Sequence, residues 1–256
     1  MANEIMANNK TKVSLTLFKD DLDKGFENMG NDDMSLPFIR VLGQLSPQIT
    51  PGDSKYIDGA KPGMIFNTVT GELFDGAKGI SVIPCLYKKE YPEWRDRGDG
   101  PGAPVAVHQP NSSIISTGKK EGGKIRLPNG NYVEETAVYC VMAENKSGGL
   151  TPALITMKST QLNVSRRWNA MMRGTQILVD GKYHRIPMHG AMYKLKSVLQ
   201  KNDKGSWYGW TVEQDRILSD DDKQIYLESR KFANEISKDG VQAYGEEEKS
   251  ESKTPF

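Results

Sequence analysis

Apolar positions come in short runs broken by turn residues. Between 36 and about 218, these runs alternate with clusters of Gly, Pro, Asn and Asp, the pattern of a β-rich domain. The first run is 36–45. Within 63–74, Met64-Ile65-Phe66 and Leu73-Phe74 flank Thr70-Gly71 and predict a hairpin. Residues 79–87 (GISVIPCLY) form the strongest strand signal, rich in β-branched side chains. Residues 95–123 read mainly as loop, with a short strand at 104–107 or 114–116. Residues 124–127 and 132–143 flank Asn129-Gly130, a turn pair that tolerates positive φ, and predict a second hairpin. A strand follows at 150–157.

The period then changes. Over 160–173, Leu162, Arg166, Asn169 and Arg173 fall on one helical face and Val164, Trp168 and Met171-Met172 on the other. Ser159 or Thr160 is positioned to cap this helix and Gly174 to end it. After a loop, 191–200 and 206–214 predict strands joined at Lys201-Asn202-Asp203-Lys204-Gly205. Ser219-Asp220-Asp221-Asp222 opens a final helix to about 237, with acids where the helix dipole favours them. The expected fold is therefore mainly β with one or two helices. Strand, hairpin, strand, helix, hairpin is the order of an OB-fold-like Greek-key β-barrel, here with added hairpins.

Composition sets the boundaries. Residues 1–35 are polar and carry four Lys against seven acids, a flexible acidic arm. Residues 36–239 are the OB-like domain with its C-terminal helix. Residues 240–256 carry two Lys against four Glu and read as a disordered acidic tail. The near-neutral total of +1 hides a middle stretch, 150–216, with eleven cations against four acids. Basic charge between acidic ends points to a polyanionic partner, although a solvated surface gives the same count.

Only Cys85 and Cys140 are cysteines and only three histidines occur, so neither a disulfide scaffold nor a Cys/His zinc site is expected. No apolar run has the ~18 residues of a membrane helix. The first residues lack the plan of a signal peptide, and the expected location is the cytoplasm. No phosphate loop, nucleophile elbow, zinc-protease motif or dinucleotide fingerprint occurs, and no helix-turn-helix pattern stands out. The glycine-rich stretch Gly98-Asp99-Gly100-Pro101-Gly102 lacks the Lys-Ser/Thr of a phosphate loop. The expectation is a non-enzyme without cofactor.

Single strands are held by cations on phosphates and by rings stacked on bases. Tyr87, Lys88, Lys89 and Tyr91 lead into Trp94, Arg95 and Arg97 at the exit of the strongest strand. Tyr193, Lys194 and Lys196 alternate along a later strand, and Trp207 and Trp210 follow across its hairpin. These residues are the candidate nucleic-acid contacts. For Trp168, Trp207 and Trp210 a place in the core is the competing reading, and for Lys194 and Lys196 a solvated strand face.

The chain closes with Glu246, Glu247, Glu248, Lys249, Glu251 and Lys253 before Pro255 and Phe256. A terminal ring beside a free carboxylate suits capture in an apolar pocket with a basic rim. In this acidic, Pro-Phe-ended tail and in its strand–helix–hairpin order, the sequence resembles the single-stranded DNA-binding proteins of bacteria and bacteriophages. Lys249 and Lys253 dilute the acidic tip, and no Asp precedes Pro-Phe. The resemblance implies that the tail, through Glu246, Glu247, Glu248, Pro255 and Phe256, recruits replication or recombination proteins. It also implies that the domain coats single-stranded DNA in the host cytoplasm, where a homo-oligomer would be compatible with the role. The middle (Tyr56-Ile57-Asp58-Gly59-Ala60-Lys61-Pro62-Gly63, then Val82-Ile83-Pro84-Cys85 and Glu93-Trp94-Arg95) resembles a widespread group of phage proteins. The alternative is a phage virion or assembly protein.

Overall fold

In the computed structural model, the structure describes residues 24–25, 36–96, 103–203 and 205–239. The chain divides into two units, Met1–Ser35 and Leu36–Phe256, and the following concerns the second. The acidic arm and the tail 240–256, including Glu246, Glu247, Glu248, Pro255 and Phe256, lie outside the described residues, as does Arg97.

The fold is mainly β, with 44% of the described residues in strands and a few helices. Its centre is an antiparallel sheet of five long strands: β4 (Ile80–Trp94), β9 (Thr136–Glu144), β10 (Leu150–Lys158), β13 (Ala191–Asn202) and β14 (Gly205–Ile217). They lie in the order β14-β13-β4-β9-β10. Three successive strands with a fourth returning beside the first make a Greek key. The return runs through α2 (Leu162–Gly174), the predicted helix between third and fourth strands. Among the described residues no ladder joins β14 to β10, and the expected barrel takes the form of a curled half-barrel sheet.

Both faces of this sheet are covered. On one, Trp168 of α2 stacks on Tyr139 with ring centroids 4.2 Å apart and meets Tyr193 edge-on at 5.8 Å. The Tyr139 hydroxyl donates to Asn169 Oδ1 at 3.0 Å, tying helix to strand. On the other face, Phe232, Ala233 and Ile236 of α3 (Lys223–Asp239) pack with Ile83, Val138, Cys140, Met142 and Met192. That explains the sequence of β9, an apolar run without alternation: every residue before Glu144 is buried, as a strand covered on both sides requires. Cys85 and Cys140 are free and buried. Burial pushes their thiols up to about 12 and about 11, so they are inert at neutral pH.

Ser219 and Asp222 form the capping box that starts α3, as the sequence predicts. At α2 the expected caps are not used: neither Ser159 nor Thr160 makes a side-chain cap bond, and a 3-10 turn over Ser159–Gln161 leads in. Gln161 Oε1 instead accepts from the Trp210 N–H at 2.7 Å, anchoring the helix start to β14. Gly79, at φ +71°, lies against the Leu195 carbonyl and lets β4 enter beside β13 where a Cβ would collide.

Two additions flank the sheet. β1 (Ile39–Val41), β2 (Ile65–Asn67) and β3 (Leu73–Phe74) form a small antiparallel sheet containing the predicted hairpin, and Phe38 bridges to Leu154 at the β10 edge. The second addition grows from the far end of β4. There β5 (Ala106–His108) pairs on one side and β8 (Tyr132–Val133) on the other, followed by β7 (Lys124–Arg126) and β6 (Lys119–Glu121). The 114–116 segment falls in a short helix, α1 (Ser113–Thr117), and not in a strand. The loop after α2 contains a hairpin the sequence reading passed over, β11 (Gln176–Val179) with β12 (Lys182–Arg185). Among the described residues no helix is long and apolar enough to cross a membrane.

Candidate nucleic-acid interface

The residues singled out in the sequence separate in space. β4 is 15 residues long, and at ~3.3 Å per residue its two ends lie tens of ångströms apart along the strand. β13 pairs with the beginning of β4, Tyr193 opposite Val82 and Leu195 opposite Ile80. Trp94 stands at the other end. A single path over both, as the sequence suggests, is not built.

Tyr193 is 1% exposed and Trp210 5%. Both belong to the core under α2 and offer no face to a base, because the helix covering that sheet face occupies their surfaces. Tyr87 is half-buried and tilted on Tyr139, closer to core than to platform. Lys194 and Lys196 alternate outward as expected, but they meet acids. Lys194 Nζ lies 3.5 Å from Glu144 and donates to Ser81 Oγ, and Lys196 Nζ lies 2.7 Å from Glu213. Burial pushes the Glu144 carboxyl up, but the Ser81 N–H and Lys194 outweigh it and hold it below the usual range. Trp207 is half-buried at a hollow of about 340 Å³ shared with Ser159, Thr160, Asn202, Gly205 and Ser206.

The end of β4 differs. Register places Trp94 opposite Tyr132, Tyr132 opposite Arg126, and Arg126 opposite Lys119. Directly opposed residues share a face, so two rings and two cations form one row across four strands. Lys124, two residues from Arg126 on the same face, sets its Nζ 3.8 Å from the Tyr132 ring centroid. Lys158, at the end of β10, sets its Nζ 5.7 Å from that of Trp94. Each ring face attracts the cation above it through its quadrupole, which holds ring and cation together. Arg95 is exposed just past the strand.

The row carries acids too. Arg126 contacts Asp96 at 2.9 Å and Glu121 at 3.8 Å, and Lys158 contacts Glu134 at 3.3 Å. Lys89 is held by Glu135 at 3.2 Å, a hydrogen bond that raises its pKa. Lys88 and Tyr91 are half-buried on β4, and burial raises the Tyr91 pKa. The two Arg126 pairs are exposed and worth ~0–1 kcal/mol each, whereas Glu134 is buried and holds Lys158 more firmly.

Beneath the row, Glu93 is 4% exposed. Its carboxylate accepts from Asn131 at 2.6 Å and Asn129 at 3.0 Å, and meets His108 Nε2 at 2.7 Å. One buried group thus ties the Asn129-Gly130 turn and β5 to β4. Burial pushes the Glu93 pKa up, but these bonds outweigh it and hold it low.

Trp94, Lys88, Lys89, Tyr91 and Arg95 come from the sequence reading. Tyr132, Lys124, Arg126, Lys119 and Lys158 it missed. Their signal was the Asn-Gly turn itself: a hairpin closed there sets Arg126 against Tyr132.

Fold and site define a mainly β protein with a Greek-key sheet, covered on both faces, that extends into an aromatic and cationic row. The chain belongs to the Pam3 phage gp34-like protein family, whose model matches residues 8–242. That description names a bacteriophage and no activity. No curated protein and no solved structure matches the chain.

Proposed function

We propose that the protein binds single-stranded DNA, coating and protecting it during phage replication or recombination in the host cytoplasm, without catalysis. The observation that carries this reading is the Trp94–Tyr132–Arg126–Lys119 row, with Lys124 and Lys158 over its rings. Rings stack on any base and cations follow the backbone, so such a row suits sequence-tolerant binding. The Greek-key order with a helix between third and fourth strands agrees with an OB-like binding domain, and membership of a phage family agrees with the setting. In this reading the strand runs across the β4–β8–β7–β6 extension and not over the central sheet. Residues 240–256 recruit replication or recombination proteins and compete with DNA for the cations.

Nuclease protection tests the coating role. A single strand mixed with excess protein should resist a single-strand-specific nuclease, while a duplex given to a double-strand nuclease should be digested as fast as without protein. Digestion of the single strand at the protein-free rate would reject the reading and favour a virion or assembly protein.

A further inference from the structure

Beyond the β4 extension, the β11–β12 hairpin groups several exposed apolar side chains among the described residues. Its strands pair only with each other, and every residue in them is exposed. The turn is Asp180-Gly181 with φ of 50° and 76°, the geometry of a tight two-residue hairpin. An isolated two-stranded hairpin is marginal in water. This one nonetheless exposes Leu178 by 61% and Tyr183 by 74%, with Ile177 and Val179 also exposed. Apolar surface of this sort marks an interaction site.

Charge selects the occupant. Each apolar residue of β11 stands opposite a ring or a basic side chain of β12: Val179 opposite Lys182, Leu178 opposite Tyr183, Ile177 opposite His184. Arg185 donates from Nε to the Arg173 carbonyl at 3.2 Å, fixing the hairpin to the end of α2. Across 159–190 the only acid is Asp180, against Arg166, Arg167, Arg173, Lys182 and Arg185. A two-fold interface would set this basic patch against an identical basic patch. Tyr183 and Arg185, two residues apart on β12, share one strand face, and an exposed phenol beside a cation suits a base and its phosphate instead.

Resting on the single-strand reading above, we infer that the hairpin is a second contact for the same single-stranded nucleic acid, with Tyr183 and Leu178 against a base and Lys182, Arg185 and Arg173 on phosphates. Helix α2 links the two contacts. Arg166 Nη2 lies 4.0 Å from Glu135, the partner of Lys89 near the β4 extension. Arg173 is two turns further along the same helical face, ~10 Å away at 1.5 Å per residue. The hairpin therefore lengthens the bound segment.

Titrating the full-length protein, Tyr183→Ala and Lys182→Glu with labelled single strands of ~6 and ~30 nucleotides tests this, the short one lying within the reach of one contact. Wild-type protein should bind both. Both variants should bind the short strand as wild type does. Tyr183→Ala should bind the long strand about tenfold more weakly, the size of one lost base stack. Lys182→Glu should lower the salt dependence on the long strand by at least ~0.7 in the log–log slope. Equal long-strand binding by wild type and variants would overturn the hairpin contact and leave the single-strand reading intact. No binding by wild type to either strand would overturn both. Unchanged binding with a fall in molar mass by light scattering would make the hairpin a self-association surface and overturn the inference. Because both side chains are exposed, circular dichroism of the variants should match wild type.

Discussion

At Glu93 a single buried carboxylate accepts from two asparagines and meets His108, so the pairing that sets Trp94 opposite Tyr132 is tied from beneath by a residue outside the row. Its pKa is held low in the fold. A carboxyl depressed on folding contributes stability above its unfolded pKa, ~4.3, that is lost as pH falls through the folded value. Melting curves from pH 7 to 3 should therefore show a loss of stability below about pH 4.3 in wild type, and a flatter dependence in Glu93→Gln. Identical profiles would remove Glu93 as the acid-sensitive tie. The rings above it carry the second prediction: Trp94→Ala or Tyr132→Ala should each weaken single-strand binding by ~1–3 kcal/mol with melting temperature little changed, read by titration beside calorimetry. Single residues were only partly legible. Tyr193 and Trp94 look alike in sequence, each beside basic residues. What separates them is whether a helix lies over their strand face, and that is decided by α2, far from either residue.

Among elements, α2 supplies the largest fully buried side chain of the core. Trp168 packs between Tyr139 and Tyr193, so Trp168→Ala should cost ~3–5 kcal/mol in denaturant unfolding. A loss below ~1 kcal/mol would mean the helix is not the core's keystone, since fully buried large side chains do not come out so cheaply. The long strands, both helices and the Ser219 capping box were legible because period and capping chemistry are local. The kink at Glu134-Glu135 between β8 and β9, and the run of β4 to Trp94, were not, since pairing partners distant in sequence set them. β11–β12 was a different omission. Asp180-Gly181 is a strong turn signal between apolar and basic runs, but a hairpin whose strand residues are all exposed has no burial pattern to announce it.

At the scale of the whole molecule, a polyanion bound in the proposed way would lie on the extension and along α2, with the central sheet serving as scaffold. Charge asymmetry was visible in the sequence, but its location was not. Lys194 and Lys196, counted in the basic middle stretch, are taken up by Glu144 and Glu213, while Lys119, Lys124 and Arg126 lie outside that stretch and stand in the row. Deleting 240–256 should leave the melting temperature unchanged and strengthen single-strand binding, as an acidic competitor is removed. Equal or weaker binding by the shortened chain would count against competition. The most direct measurement is a fluorescence-anisotropy titration with a labelled single strand of ~30 nucleotides, its duplex as control, at low and high salt. The account predicts tighter binding to the single strand that weakens steeply as salt rises. No binding, or equal binding to the duplex, would contradict it.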